Sequence, residues 1–223
     1  MSRARIILTS KRANIGCGAT PTIGWLNFDN SLTVRLAQYP RLISFLNKAG
    51  LVDDSSVKFA AVARQVGIVW ADAKKGLPVA SESLEVIYSS HMLEHLDCDE
   101  AAEFLRGVYR ALRPGGILRI AVPDLRRMIE AYLIDRDADH FFQSLNIRAH
   151  SIRTLKQRVR FLFTGDRDHR WMYDHASLVR LLLRSGFIEA QVMPPGKTII
   201  SDPAPLNLSE RVEESLYVEA LKR

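Results

Sequence analysis

Two glycines one residue apart follow a short apolar stretch early in the chain. Gly16 and Gly18 flank Cys17, and Asn14 stands two residues before the first glycine. Glycine lets the backbone turn sharply and approach a ligand closely, because it has no Cβ. A dinucleotide site would need a third glycine three residues after Gly18, where Pro21 stands instead. A pyrophosphate-binding loop is therefore incomplete, and a simple tight turn explains the pair about as well.

Carboxylates follow the next two apolar stretches. Asp29 comes after residues 25–28, and Asp72 comes after residues 68–70 with Ala73 next to it. At the end of a strand, Asp29 could accept hydrogen bonds from both hydroxyls of a ribose. Asp72 could accept one from the exocyclic amine of adenine. Each aspartate could equally cap a turn, but polar or glycine positions at the ends of three successive strands together favour a nucleotide site.

A histidine-rich motif follows a fourth apolar stretch. His91, Glu94 and His95 read as His-x-x-Glu-His, a spacing that lets two histidines share a zinc ion on the helix of some peptidases. His91 falls at the predicted end of a strand, which disfavours that chemistry. We favour the alternative that Glu94 and His95 open the helix that follows, so no metal is predicted. Imidazole titrates near neutral pH, and the predicted catalytic residues are His91, His95 and His169, with His175 a further candidate base.

The segments around these residues alternate between strand-like and helix-like patterns. This order indicates a βαβ series with a mostly parallel sheet. Strands are predicted over residues 12–15, 25–28, 68–70, 84–88, 117–122 and 216–221, the last one antiparallel at or near the sheet edge. Helices are predicted over residues 41–49, 57–66, 100–112 and 177–184, with Asp99 as the N-cap of the third. Residues 126–174 do not fit a tight repeat, and we expect a helical insertion that forms a lid over the carboxyl ends of the strands.

Length and composition set the class of protein. A chain of 223 residues, 47% hydrophobic and 25% charged, is long enough for one α/β domain, so residues 1–223 are expected to form a single domain. Two cysteines do not suggest a disulfide framework. Residues 1–11 lack the long apolar region of a signal peptide, and a cytoplasmic location is expected.

The net charge of +6 is unevenly distributed. Residues 148–170 contain seven lysines and arginines against two aspartates. Such a cluster could attract an anionic partner, or it could be a solvated helix face.

In their order and spacing, these motifs resemble the type-11 class of S-adenosylmethionine-dependent methyltransferases. The resemblance is carried by residues 14–18, 24–29, 72, 77–78, 89–96 and 112–120, and downstream by residues 169–174 and 177–187. It implies a Rossmann-like, mostly parallel seven-stranded sheet with helices on both faces. One departure is Asn14, since many members of the class have an acidic residue at this position.

The resemblance also implies roles for individual residues around S-adenosylmethionine. The loop of Asn14, Gly16, Cys17 and Gly18 would pass beneath the methionine part. Asp29 would hold the ribose, and Asp72 and Ala73 would meet the adenine. The end of the fourth strand would lie beside the methionine and the methyl group; its residues there are Ser89, Ser90 and His91.

The sequence is compatible with more than one kind of methyl acceptor. The resemblance includes many bacterial proteins linked to cell-surface polysaccharide, so the expected partner is a small-molecule or glycan acceptor, with a sugar hydroxyl of a glycan precursor as the first expectation. An anionic acceptor would suit the basic residues 148–170. RNA methylation would use the basic residues 148–170 but lacks a recognised RNA-binding module, so a nucleic-acid partner is not expected. A non-catalytic protein that binds S-adenosylmethionine is a third hypothesis. Some related methyltransferases carry Glu-x-x-Glu-His as divalent-metal ligands, whereas this chain has His91 in place of the first glutamate.

Overall fold

A computed structural model describes residues 10–147 and 168–223 of the chain. Its seven strands form one sheet in the order β3-β2-β1-β4-β5-β7-β6. The strands are β1 (Arg12–Ile15), β2 (Leu26–Asp29), β3 (Val69–Trp70), β4 (Leu84–Ser90), β5 (Leu112–Pro123), β6 (Phe187–Met193) and β7 (Ser215–Lys222). Strands β1 to β5 run parallel, and β7 runs antiparallel to both of its neighbours. The predicted Rossmann-like, mostly parallel sheet is confirmed, as is an antiparallel last strand near the edge.

Helices connect and flank the strands. They are α1 (Leu32–Leu36), α2 (Pro40–Lys48), α3 (Asp54–Val66), α4 (Cys98–Ala111), α5 (Leu125–Asp135), α6 (Ala138–Ser144) and α7 (His175–Arg184). Two 3₁₀ turns, Ala73–Lys75 and Leu93–His95, follow β3 and β4. Among the described residues, no helix is both long and apolar enough to cross a membrane.

The main core lies between the central strands and α4. Residues 118–122 of β5 are almost completely buried, as expected for a strand whose two faces are both covered. Helix α4 buries Phe104, Leu105 and Val108 at intervals of one and three residues, which is the narrow apolar stripe of an amphipathic helix. These contacts fix the position of β4 and β5, and therefore of the residues at their carboxyl ends.

The structure corrects several predicted boundaries. Asp97, not Asp99, is the N-cap of α4: its Oδ1 accepts from the Glu100 amide at 2.9 Å, and Glu100 Oε2 accepts from the Asp97 amide at 3.2 Å. This reciprocal pair is a capping box, which needs a glutamate three residues after the cap. Strand β4 runs to Ser90, two residues beyond its predicted end.

The predicted insertion over residues 126–174 is described only in part. Residues 125–144 form α5 and α6, so this portion is helical. The basic stretch and its predicted helix lie outside the described residues except at Asp168, His169 and Arg170. The role of this region as a lid stays a prediction.

Strand register determines which predicted site residues can meet. Ile15 at the end of β1 pairs with Phe28 of β2 on one side and with Ser89 of β4 on the other. The residues that immediately follow these three positions therefore lie at one edge of the sheet, where open parallel sheets bind ligands.

Candidate functional site

The loop after β1 turns at glycines. Gly16 has a φ of 68° and Gly18 a φ of 48°, which is the left-handed region that glycine adopts at little cost. A Cβ at Gly16 would lie 2.7 Å from Met92 Cγ, so a larger residue is excluded by space as well as by backbone conformation. The Gly16 amide donates to the Phe28 carbonyl at 2.8 Å, which ties the turn to β2.

Asn14 holds the far side of this loop. Its side chain is buried and donates from Nδ2 to Thr22 Oγ1 at 3.1 Å and to the Thr20 carbonyl at 3.3 Å. A carboxylate could not donate either bond. The structure therefore explains the amide at this position, because it hydrogen-bonds residues 20 and 22 to β1.

Asp29 joins the end of β2 to the glycine loop. One carboxylate oxygen accepts from the Gly18 amide at 3.1 Å, and the other accepts from the Ser31 amide at 2.8 Å. Each oxygen keeps a second lone pair. The carboxylate can therefore organise the loop and still accept a hydroxyl of a ligand.

Asp72 acts as a cap. It precedes the 3₁₀ turn Ala73–Lys75, and its Oδ1 accepts from the Lys74 amide at 3.3 Å, while Lys75 Nζ lies 3.6 Å from Oδ2. The turn-capping alternative is thus present in the structure, and the proposed contact of Asp72 and Ala73 with adenine stays a prediction.

A cavity of about 600 Å³ lies between the glycine loop, the end of β4 and residues 205–211. The predicted site residues that border it are Gly16, Cys17, Gly18, Ser90 and His91. The predicted residues that are not among its lining are Asn14, Asp29, Asp72, Ala73, Ser89, His95 and His169. Ser89 is buried and donates its hydroxyl to the Ile15 carbonyl at 3.1 Å, so it joins β4 to β1.

The opposite wall of the cavity contains a fixed carboxylate that the sequence analysis missed. Glu210 accepts from the Tyr88 hydroxyl at 2.8 Å and lies 3.1 Å from Thr20 Oγ1. Burial, and then the Glu210 charge, raise the pKa of Tyr88, so the phenol remains a donor to this carboxylate. The Glu210 carbonyl accepts from Ser215 Oγ at 3.1 Å and from Tyr217 Oη at 2.7 Å. No sequence signal identifies Glu210, which stands 122 residues from its partner on β4.

Cys17 lies in the glycine loop with a buried thiol. Burial, followed by the nearby Asp29 carboxylate, raises the pKa of this thiol. It therefore stays protonated at neutral pH and acts as a small apolar side chain.

His91 is hydrogen-bonded at one ring nitrogen and lies near a carboxylate at the other. Nε2 lies 2.8 Å from Ser215 Oγ, whose own proton goes to the Glu210 carbonyl, so Nε2 is the donor. Nδ1 lies 3.4 Å from Glu94 Oε1. The backbone at His91 has a φ of 48°, which is uncommon for a residue other than glycine.

His95 and His169 lie against each other, away from the cavity. Their ring centroids are 5.1 Å apart, and His169 Nε2 is 4.0 Å from Glu94 Oε1. Burial lowers the pKa of His169, with the Glu94 charge acting in the opposite direction. The structure thus brings one of the three predicted catalytic histidines, His91, to the cavity. The catalytic roles of all three stay predictions.

Comparison with known proteins gives one family. Residues 13–120 match the type-11 methyltransferase domain. The chain is similar to S-adenosylmethionine-dependent methyltransferases of known structure from three organisms. The protein from Thermotoga maritima is 15% identical, over 95% of this chain and 81% of that one, with a TM-score of 0.48. The protein from Mesorhizobium loti is 19% identical, over 94% of this chain and 89% of that one, with a TM-score of 0.47. The protein from Archaeoglobus fulgidus is 15% identical, over 96% of this chain and 87% of that one, with a TM-score of 0.48. No curated protein matches the sequence significantly.

Proposed function

Since the chain belongs, through its methyltransferase domain, to the S-adenosylmethionine-dependent methyltransferases, we propose that it methylates a sugar hydroxyl of a cell-surface glycan precursor. The observation that carries the cofactor part of this proposal is the cavity of about 600 Å³ between the glycine loop, the end of β4 and Glu210. The acceptor class rests on the family resemblance alone.

The charge and shape of the cavity support a position for the methionine part of S-adenosylmethionine. Gly16 and Gly18 provide a wall without side chains, and Glu210 provides a negative charge that is held by Tyr88. The methionine part carries a positive ammonium, a positive sulfonium and a negative carboxylate, and the cavity lining contains Arg211 as well as Glu210. We therefore assign Glu210 to the recognition of this end of the cofactor.

The remaining contacts follow the edge of the sheet. Asp29 lies next to the glycine loop on β2, with a free lone pair on each oxygen for the ribose hydroxyls. Asp72 and Ala73 lie after β3, the next strand outward, and are assigned to the adenine. Asn14 is assigned a supporting role, because its amide holds the loop.

The chemistry needs little from the protein beyond placement. The sulfonium is an activated methyl donor, so holding an acceptor oxygen in line with the methyl group supplies much of the acceleration. Removal of the proton of a hydroxyl calls for a base. Nε2 of His91 donates to Ser215 Oγ, and Nδ1 lies 3.4 Å from the Glu94 carboxylate. We assign His91 to positioning at the methyl end of the cavity.

Two measurements test the proposal in sequence. Calorimetry with S-adenosylmethionine and with its demethylated product should show binding of both, whereas NAD should not bind. Transfer of a radiolabelled methyl group should then be measured against a panel of sugar nucleotides, glycolipids and RNA. Methylation of a carbohydrate supports the proposal, and methylation of RNA alone refutes the acceptor. Tight cofactor binding with no transfer to any member of the panel would favour a binding protein, and absence of binding would refute the cofactor assignment.

A further inference from the structure

Glu94 is a buried carboxylate. Its relative exposure is 0%, and among residues 10–147 and 168–223 neither of its carboxylate oxygens has a hydrogen-bond partner. A buried charge of this kind is strongly unfavourable unless it is paired or bound to a metal ion. In the same part of the chain, His91 Nδ1 lies 3.4 Å from Glu94 Oε1 and His169 Nε2 lies 4.0 Å from it. The first of these rings is already bound to Ser215 through its other nitrogen.

Two imidazole rings beside Glu94 are oriented by backbone carbonyls. His95 Nδ1 lies 3.1 Å from the Asp168 carbonyl, and His169 Nδ1 lies 2.9 Å from the Leu145 carbonyl. A carbonyl only accepts, so each Nδ1 carries the proton and each Nε2 is left with a lone pair. Metal-binding histidines are oriented in this way by their second nitrogen.

From this geometry we propose that Glu94, His95 and His169 bind one divalent transition-metal ion of the zinc type. One potential ligand atom from each of the three residues lies within 4.8 Å of the other two. Ligands around tetrahedral zinc are roughly 3.3 Å apart, given bonds of about 2.0–2.1 Å. His169 Nε2 and Glu94 Oε1 are 4.0 Å apart, so metal binding would have to bring these two atoms about 0.7 Å closer.

The donor set selects the class of metal. Two imidazole nitrogens and one carboxylate oxygen suit zinc and its neighbours in the first transition series. Magnesium and calcium prefer sites made only of oxygen. The ligand set also differs from the His-x-x-Glu-His motif, because His169 replaces His91 as the second imidazole.

The ion would join parts of the chain that are distant in sequence. Glu94 and His95 belong to the 3₁₀ turn after β4, and His169 is the second residue of the described segment 168–223. The same turn already accepts, at the Glu94 carbonyl, from the amides of Arg170 at 2.8 Å and Trp171 at 3.1 Å. Because His91 lies two residues before this turn and borders the cavity, the metal would stabilise one wall of the cavity.

Metal titration of the intact chain tests this site without any cofactor. After treatment with a chelator, the wild-type protein should bind one zinc ion in calorimetry and should not bind magnesium at the same concentration. Glu94→Gln and His169→Asn should each weaken zinc binding at least about tenfold. A loss of this size is typical even when the mutated residue only hydrogen-bonds to a metal ligand. The control is His140→Ala, because His140 is an exposed histidine beside Asp135, and its affinity for zinc should be unchanged.

A second measurement does not depend on any variant folding. X-ray absorption of the zinc-loaded wild-type protein should show two imidazole ligands in the first coordination shell. Absence of zinc binding, equal affinity in Glu94→Gln, preference for magnesium, or fewer than two imidazoles would each overturn the proposal. Because no step involves S-adenosylmethionine, failure here is distinct from failure of the proposed methyl transfer.

Discussion

At the scale of single residues, Asp29 has two separable roles. Asp29→Ala removes the proposed ribose contact and also two hydrogen bonds to backbone amides. We expect affinity for the demethylated cofactor to fall at least about tenfold, with a loss of roughly 1–3 kcal/mol in the free energy of unfolding. Calorimetry and urea denaturation measure the two effects separately.

The control for Asp29 is Asp53→Ala. Asp53 is the N-cap of α3 and accepts from the Ser56 amide at 2.8 Å, on an element that does not border the cavity. This variant should lose about 1 kcal/mol of stability and retain cofactor binding. Unchanged affinity in Asp29→Ala would remove the ribose assignment.

Glu210 gives a second prediction at this scale. Glu210→Gln keeps the size of the side chain but removes its charge, so binding of S-adenosylmethionine should weaken at least about tenfold, as for a charged hydrogen bond. Glu213→Gln is the matched control, since Glu213 is exposed and does not border the cavity. Equal affinities in the two variants would contradict the role of Glu210.

The sequence predicts some of these residues and cannot predict others. Gly16 and Gly18 were identified because a close backbone turn limits residue type, and both border the cavity. Glu210 has no such local signature, because its position depends on Tyr88 and Thr20, which are far away in the chain. The position of His169 cannot be predicted from a local motif either, since only the fold brings it close to Glu94.

At the scale of secondary structure, the capping box of α4 tests the corrected start of this helix. Asp97→Ala should destabilise the protein by about 1 kcal/mol, the usual cost of losing a side-chain cap. Asp99→Ala, at the predicted cap two residues later, should change stability by only a few tenths of this value through the helix dipole. Urea denaturation followed by tryptophan fluorescence measures both. A larger loss for Asp99→Ala would restore the original prediction.

Periodicity predicts the elements better than their ends. The helical spacing of apolar residues predicts α4, and a nearly continuous apolar run over residues 117–122 predicts β5. The cap was misplaced because Asp97 and Asp99 are equally suitable residue types, and only the distance to Glu100 distinguishes them. Helix α1 was missed because its five residues are too few to show a helical period.

At the scale of the whole molecule, a buried ion pair links the sheet to the wall of the cavity. Arg119 on β5 and Glu219 on β7 are both 0% exposed and 2.6 Å apart. Arg119 also donates to the carbonyls of Lys197 at 3.0 Å and Leu208 at 2.9 Å. The pair therefore anchors the long connection between β6 and β7, which includes Glu210.

This pair predicts a large stability effect. Glu219→Gln leaves the Arg119 charge buried and unpaired, so the free energy of unfolding should fall by about 3–5 kcal/mol. The double variant Arg119→Met/Glu219→Leu should lose less than this, because it buries no charge. Glu130→Gln is the surface control, since Glu130 pairs with Arg126 on exposed α5, and it should change little. If Glu219→Gln lowered the free energy of unfolding no more than Glu130→Gln does, the prediction would be contradicted.

The two cysteines of the chain differ sharply in their surroundings, since Cys98 is exposed at the start of α4 whereas Cys17 is buried. A thiolate is the reactive form, so a disulfide reagent should label Cys98 rapidly and Cys17 only when the glycine loop opens. Bound S-adenosylmethionine should slow the second reaction further, and Cys98→Ser should abolish only the fast phase. The slow labelling rate would thus report, without any engineered probe, how often the glycine loop opens.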